Sequence, residues 1–482
     1  MIKSVEFKNF RNLNGIYNFD NRLNVIIGKN NSGKTNILDG IKLAFSTITN
    51  DYFKISVSDF KNSIDSNVIE IKIELEYDAI PSLDFIDSDN KKKCGFTVKI
   101  KKTQSGRYVK DITLLNGSPV ALDILREDPK IPNLYLIPLI RMEDIYTAGL
   151  TTGISTFIES EEKYKELKSE SKEAIKRELK TKTDKFKELC SKFNENLDIE
   201  LTDPKFLNER VYIVDGKLEH NFNIGAGYKS IANIMLNTLD EKFNIILIDE
   251  IENHLHPALI RTLVREIRGV NNTIIISTTH SPVVINELKM EEIIDISGKS
   301  INLIEDKNCI KKLNTFLHPG RNELMLADNI VLVEGYTEEV LLKYYLSKNN
   351  YNWTIINVAG VMFEPYIQLA WLLNKKIIVV SDNDKLLSEK KEKSTRFSNL
   401  KAICDKKKIK LIEVENTLET DLYINGFLKN CSELLKKHKM YSEYYVAKEK
   451  KKVEIAEKLI DEDVDLSNWH VIKEINNEFT SN

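Results

Sequence analysis

A chain of 482 residues is long for one hydrophobic core, so two or three domains are expected. Hydrophobic residues at 42% and charged residues at 30% describe an ordinary globular chain, and a net charge of −3 does not advertise nucleic-acid binding overall. Five cysteines (Cys94, Cys190, Cys309, Cys404 and Cys431) stand singly without CxxC spacing, which argues against structural zinc and a disulfide framework. No secretory leader precedes the strand-like opening MIKSVEFKNF, and no apolar run reaches the roughly 18 residues of a membrane span. A cytoplasmic protein with no membrane partner is expected.

Residues 1–27 alternate like short strands, and 34–47 read as a helix. Between them, GKNNSGKT fits GxxxxGK[ST] in full, after the apolar LNVII and at the opening of the helix. The pattern needs Gly28 and Gly33 so that backbone N–H groups of the loop, through Asn30, Asn31 and Ser32, curl around phosphate at a helix N-terminus. Lys34 reaches the β- and γ-phosphates and the Thr35 hydroxyl ligates Mg²⁺. ATP is therefore the expected cofactor.

Stretches near 68–77, 95–102 and 109–115, rich in Val, Ile and Thr, predict further strands. From about 155 to 200 the text becomes dense in Glu and Lys, which predicts exposed helices inserted into the first domain. Strand and helix alternate again from 210 to 305. IILIDE (245–250) is a buried strand ending in Asp249, a Mg²⁺ ligand, and Glu250, which polarises the attacking water. The next strand, TIIIST, runs on to His280, placed to sense the γ-phosphate. Pro319 and Gly320 mark a junction, giving an ATPase domain over 1–315 and a second domain over 316–482.

In the second domain, strands separated by helices of ten or more residues predict a parallel sheet. IVLVEGYTEE puts Glu334 at a strand end and Glu338 one helical turn on; IIVVSDND ends in Asp382 and Asp384. A parallel sheet delivers these carboxylates to one carboxyl edge. Oxygen donors without His or Cys suit Mg²⁺ (or Mn²⁺). Two such ions about 4 Å apart would activate water and stabilise the leaving oxygen of a phosphodiester. Residues 385–460 hold 19 Lys+Arg against 12 Asp+Glu, a local excess of +7 that includes Lys406, Lys407 and Lys408. It reads either as a path for double-stranded DNA or as a solvated face.

FKNFRNL, DEIENHLHP and STTHSP resemble the ABC-type ATPases of the RecF, SMC and OLD (overcoming lysogenisation defect) group. That resemblance implies a Gly-rich signature loop, here IGAGYKS with Gly225, Ala226, Gly227 and Ser230, closing over ATP held by a second copy. A homodimer or higher even-numbered oligomer is then implied. The loop departs from LSGGQ, and neither Gln104 nor Gln368 sits in a Q-loop context, so slow hydrolysis is expected, with nucleotide serving as a sensor or clamp more than as fuel. EGxxE with DxD is the Toprim pattern, and ATPase followed by Toprim resembles the OLD-family nucleases over nearly the whole chain. By that resemblance NVAG (357–360) is the second Toprim strand, Glu419 of TLETDL is a further metal ligand, and Lys452 neutralises the scissile phosphate. A solvated lysine remains open for Lys452.

The fold class is thus α/β: an ABC-type (RecF/SMC-like) ATPase domain with a helical insert, followed by a Toprim parallel-sheet domain. The activity implied is an ATP-regulated, divalent-metal-dependent DNA endonuclease or nickase in defence against phage or other foreign DNA, with room for a helicase-like partner. The rival is a non-catalytic ATP-gated clamp or repair scaffold. A Toprim primase or topoisomerase fits less well: primases lack an N-terminal ABC ATPase, and no separate strand-passage tyrosine domain is identifiable.

Overall fold

The computed structural model describes residues 2–29, 31–49, 54–120, 125, 139–140, 184, 188, 191–193, 197–200, 211–214, 217–220, 226–239, 245–270, 273–297, 311, 320–348, 353–360, 362–387, 393–429, 442, 446 and 452–480. They fall into two compact units, Met1–Ser300 and Ile301–Asn482. The junction expected at 315/316 and most of the insert expected at about 155–200 lie outside the described residues. Among those described, no helix is long and apolar enough to cross a membrane.

The first unit contains an antiparallel and a parallel sheet with different sequence grammars. IEIKIEL alternates apolar and charged residues, and strand Ile69–Leu75 buries Ile69, Ile71, Ile73 and Leu75 on one face. It pairs antiparallel with Ile2–Phe10 and Lys92–Lys102; Leu13–Asn18 extends one side, and Tyr108–Leu114 and Asp84–Ile86 pair with Lys92–Lys102. The buried face packs on helix Lys34–Thr49. A Cβ at Gly40 would lie 2.3 Å from Phe7 Cε1, so only glycine admits this approach.

LNVII, IILI and IIISTT are instead continuously apolar or small, as strands covered on both faces must be. They form a parallel sheet in the order Ile293–Asp295, Leu23–Ile27, Ile274–Thr279, Ile245–Ile248, Leu139–Ile140. Ile27 pairs with Thr279 and Ile248 with Ser277, which brings Gly28, Asp249 and His280 out at one carboxyl edge.

The second unit holds a four-stranded parallel sheet ordered Thr354–Asn357, Asn329–Val333, Lys376–Asp382, Lys410–Val414. Helix Tyr336–Lys348 follows the first of these strands in the chain, and helix Thr395–Lys407 leads into the last. Trp469, 1% exposed, donates its indole N–H to Asp421 Oδ2 at 2.5 Å, tying the segment before helix His470–Thr480 to helix Leu418–Ile424.

Candidate functional sites: a phosphate loop and an acidic sheet edge

The phosphate loop turns between strand Leu23–Ile27 and helix Lys34–Thr49. Gly33 has φ +101, the left-handed region that favours glycine, and a Cβ there would also have to displace the Asn12 amide at 2.4 Å. Lys34 is 6% exposed and donates from Nζ to the carbonyls of Gly28 and Lys29, both at 2.8 Å. Burial lowers its pKa, while the charges of Glu250, Glu252 and Asp249 oppose that shift. The Thr35 hydroxyl donates to Asp249 Oδ1 at 3.0 Å, and Thr278 donates to the same oxygen at 2.7 Å. The two proposed Mg²⁺ ligands of the nucleotide site are therefore side by side.

Glu250 sits at φ +52, a left-handed conformation that costs a non-glycine residue about 1–2 kcal/mol. Its N–H is held by Thr278 Oγ1 at 2.8 Å, and its carboxylate accepts from Asn253 Nδ2 at 2.8 Å. His280 Nδ1 lies 3.5 Å from Glu250 Oε1 and 3.3 Å from Glu252 Oε1. Glu252 also accepts from the Thr279 hydroxyl and the His280 backbone N–H, each at 2.8 Å, and so positions the histidine.

A cavity of about 740 Å³ opens over the loop, lined by Arg11, Asn12, Asn31, Lys34, Thr35 and Glu250 among others. That volume suits a nucleotide. Within the loop, the Ser32 hydroxyl oxygen is shielded from solvent and makes no hydrogen bond among the described residues, which fits a phosphate acceptor at this place. Arg11 was not assigned a role from sequence. It bridges Asp39 (2.7 Å) and Asp59 (2.9 Å) and donates to Asn36 Oδ1 (2.7 Å), fastening the antiparallel sheet to the loop helix. Asn30 and Gly225 lie outside the described residues. Ala226, Gly227 and Ser230 open helix Ala226–Leu239, where a Cβ on Gly227 would lie 2.7 Å from the His254 carbonyl. Gly227 thus has a packing role within its own chain.

At the edge of the second sheet, Glu334 follows Val333 and Asp382 closes its strand, 6% exposed. Asp384 turns at φ +50, its N–H held by the Asn416 carbonyl at 3.0 Å. Glu338 is 8% exposed; a Cβ at Gly335 would come within 2.9 Å of its Oε2. Glu419, 1% exposed, lies in the first turn of helix Leu418–Ile424. Lys452 is the first residue of helix Lys452–Asp461, beyond which nothing of its side chain is described.

Arg396 is the cation that sequence reasoning missed. Its guanidinium grips both oxygens of Glu334 (2.5 and 2.9 Å), Asp384 Oδ2 (3.0 Å) and the Gly360 carbonyl (2.8 Å). Burial lowers its pKa, but the hydrogen bonds and charge of Glu334, with Asp384 and Asp382, outweigh that and raise it. The donor set fits a hard cation: it is all oxygen and already holds one positive group. Among the described residues, no three His, Cys, Asp or Glu side chains converge to hold a metal ion as they stand. Arg396 occupies the space between Glu334 and Asp384. Lys385 and Lys393, both exposed, follow Asp384 among the described residues, with Lys393 2.6 Å from Glu413.

Lys406–Lys408 belong to the other end of the same helix, Thr395–Lys407, about 17 Å from Arg396 at 1.5 Å per residue, not beside the acids. Lys407 Nζ stacks 4.0 Å over the exposed Trp371 ring, and Lys408 caps the helix in a left-handed turn.

A family model described as AAA ATPase domain matches residues 1–118, and a second AAA-domain model matches 233–286. The model described as overcoming lysogenization defect protein-like, TOPRIM domain, matches 325–384. The chain is 24% identical over 458 residues to Endonuclease GajA of Bacillus cereus (strain VD045), covering 81% of this chain and 76% of that protein. It is 27% identical over 222 residues to Endonuclease GajA of Bacillus cereus (strain HuB5-5), covering 35% of this chain and only 32% of that relative. A solved Smc head bound to the C-winged helix domain of ScpA overlaps 61% of this chain and 94% of its own, at 18% identity and TM-score 0.45. The SMC head domain from Thermotoga maritima covers 61% and 94% at 15% identity and TM-score 0.35. The family matches and the two GajA relatives identify an OLD-family ATPase–Toprim architecture, as the motifs imply.

Proposed function

We propose, from that OLD-family ATPase–Toprim architecture, that the chain is an ATP-regulated, divalent-metal-dependent DNA endonuclease or nickase. Its setting would be defence against phage or other foreign DNA, as in the Gabija system that the resemblance implies. The observation that carries the reading is that Glu334 and Asp382 stand at the carboxyl ends of neighbouring parallel strands, with Asp384 joined to Glu334 through Arg396. Mg²⁺ or Mn²⁺ held there, with Glu419, would supply an activated water and stabilise the leaving 3′-oxygen. Lys452 would meet the phosphodiester.

In the nucleotide site, Lys34 would turn from the loop carbonyls to the β- and γ-phosphates of ATP, and Thr35 with Asp249 would hold its Mg²⁺. Glu250 would orient water, and His280, backed by Glu252, would read the γ-phosphate. A second copy would supply Gly225–Ser230 in a homodimer or higher even-numbered oligomer, which light scattering with and without ATP tests.

The deciding experiment incubates plasmid with Mg²⁺ or Mn²⁺, with and without ATP, using wild type, Glu334→Ala and Lys34→Ala. Metal-dependent nicks lost in Glu334→Ala, and an ATP effect lost in Lys34→Ala, are expected. DNA binding without any nick would favour the clamp.

A further inference from the structure

Glu334 and Asp384 face one guanidinium at the sheet edge, and carboxylates held that near each other are expensive to bury without a countercharge. Arg396 answers that cost in a specific way. Its fork takes both oxygens of Glu334 while the same guanidinium reaches Asp384, and Nη1 also donates to Gly360 O. Gly360 is tied in turn to the acid loop, its N–H donating to the Glu334 carbonyl at 2.7 Å. The position is built from below as well. Ser394 caps the helix by accepting from Phe397 N–H at 3.2 Å, and its own N–H donates to the Asn383 carbonyl at 3.0 Å. Arg396 is therefore fixed to the loop that carries Asp382 and Asp384, on the second residue of its helix.

A carboxylate oxygen committed to a guanidinium N–H at 2.5–3.0 Å has lost a lone pair that a metal would use. We infer that Arg396 is a resident counter-ion of the acid edge, competing with the divalent cation for Glu334 and Asp384. These two carboxylates take a metal only as Arg396 gives them up. The inference rests on the metal-dependent reading above and makes Arg396 a positioning residue that also sets the metal concentration at which the site loads. A residue that merely braced the acids would act oppositely: its loss would disorder the ligands and weaken metal binding.

The test titrates Mn²⁺ into the full-length, nucleotide-free protein and reads free Mn²⁺ by electron paramagnetic resonance. Wild type, Arg396→Gln and Arg396→Lys are compared, with thermal melting of each to register folding. Losing a competing charge-assisted pair should make Arg396→Gln bind Mn²⁺ about tenfold tighter. Arg396→Lys keeps the charge but not the fork, and should fall between the two. Equal or weaker binding in a folded Arg396→Gln overturns this inference alone, and so does the same result in Arg396→Lys should the Gln variant not fold. No Mn²⁺ bound by any of the three overturns the metal-dependent reading and this inference with it.

Discussion

The two carboxyl edges solve the same electrostatic problem with different partners. Each belongs to a parallel sheet, and each bends an acid into the left-handed region: Glu250 at φ +52 and Asp384 at φ +50. In the first unit the acids are met largely by neutral donors, namely Thr35, Thr278, Thr279, Asn253 and backbone N–H, while Lys34 is turned onto loop carbonyls. In the second, a guanidinium is wedged between the acids. Neutral donors leave a carboxylate its full charge for an arriving cation; a guanidinium takes part of that charge in advance. On the proposed function, the first edge would receive metal that arrives with a nucleotide, and the second would resist metal until it is abundant.

The largest break in this comparison comes from removing a proposed metal ligand. Glu334→Ala or Asp382→Ala should lower metal-dependent nicking by roughly three orders of magnitude or more while leaving ATP affinity unchanged. Plasmid nicking and nucleotide titration on the same preparations check both halves. A wild-type nicking rate in either variant would remove the acid edge from the chemistry. Next in size, Lys34→Ala should cost about 100-fold in ATP affinity, the scale of one charged hydrogen-bonding group. Glu250→Gln should keep ATP affinity and slow turnover. Equal ATP affinity in wild type and Lys34→Ala, measured calorimetrically, would refute the assignment of the loop.

Glycine positions sharpen the contrast between packing and site. A methyl at Gly40 meets the Phe7 ring at 2.3 Å and the Phe10 ring at 3.0 Å inside the core, so Gly40→Ala should cost about 1–3 kcal/mol of stability. At Gly335 the neighbour at 2.9 Å is the carboxylate of the buried Glu338, so Gly335→Ala should cost less stability than Gly40→Ala yet nick more slowly. Thermal melts paired with nicking rates separate the two. A large stability loss in Gly335→Ala would make that glycine structural.

What the sequence made legible follows from how rigidly chemistry dictates residue type. The phosphate loop and the acids at strand ends are nearly fixed by their tasks, so Gly28–Thr35, Asp249, Glu334 and Asp382 stand out in the text. The strands expected near 68–77, 95–102 and 109–115 appear as Ile69–Leu75, Lys92–Lys102 and Tyr108–Leu114, because alternation writes a half-buried strand plainly. Arg396 was illegible because a counter-ion has no required spacing: KSTRFSN is one basic helix start among many. Arg11 was readable only as part of FKNFRNL, since Asp39 and Asp59 meet it from distant positions. Helix direction was the other hidden variable, and it decides which lysines of the +7 segment stand near the acids.

That last point yields the smallest expected effect. Helix Thr395–Lys407 begins at the acid edge and runs away from it, so Lys406–Lys408 lie near the start of strand Lys410–Val414, whose far end is at the acids. Lys407 is also engaged with the Trp371 ring. DNA held for cleavage at the acid edge would instead meet Lys385 and Lys393. Each phosphate contact contributes about 0.9 to the slope of log affinity against log salt, whatever the base sequence. Replacing Lys385 and Lys393 with Ala should therefore flatten the slope by up to about 1.8 and weaken binding equally on unrelated duplexes. Lys393 is partly committed to Glu413 at 2.6 Å, which holds the loss below that ceiling. The triple change of Lys406, Lys407 and Lys408 to Ala should leave affinity within about twofold, as befits a solvated face. A slope reduced by the triple change and unmoved by the pair would instead route the duplex along the helix and past Trp371.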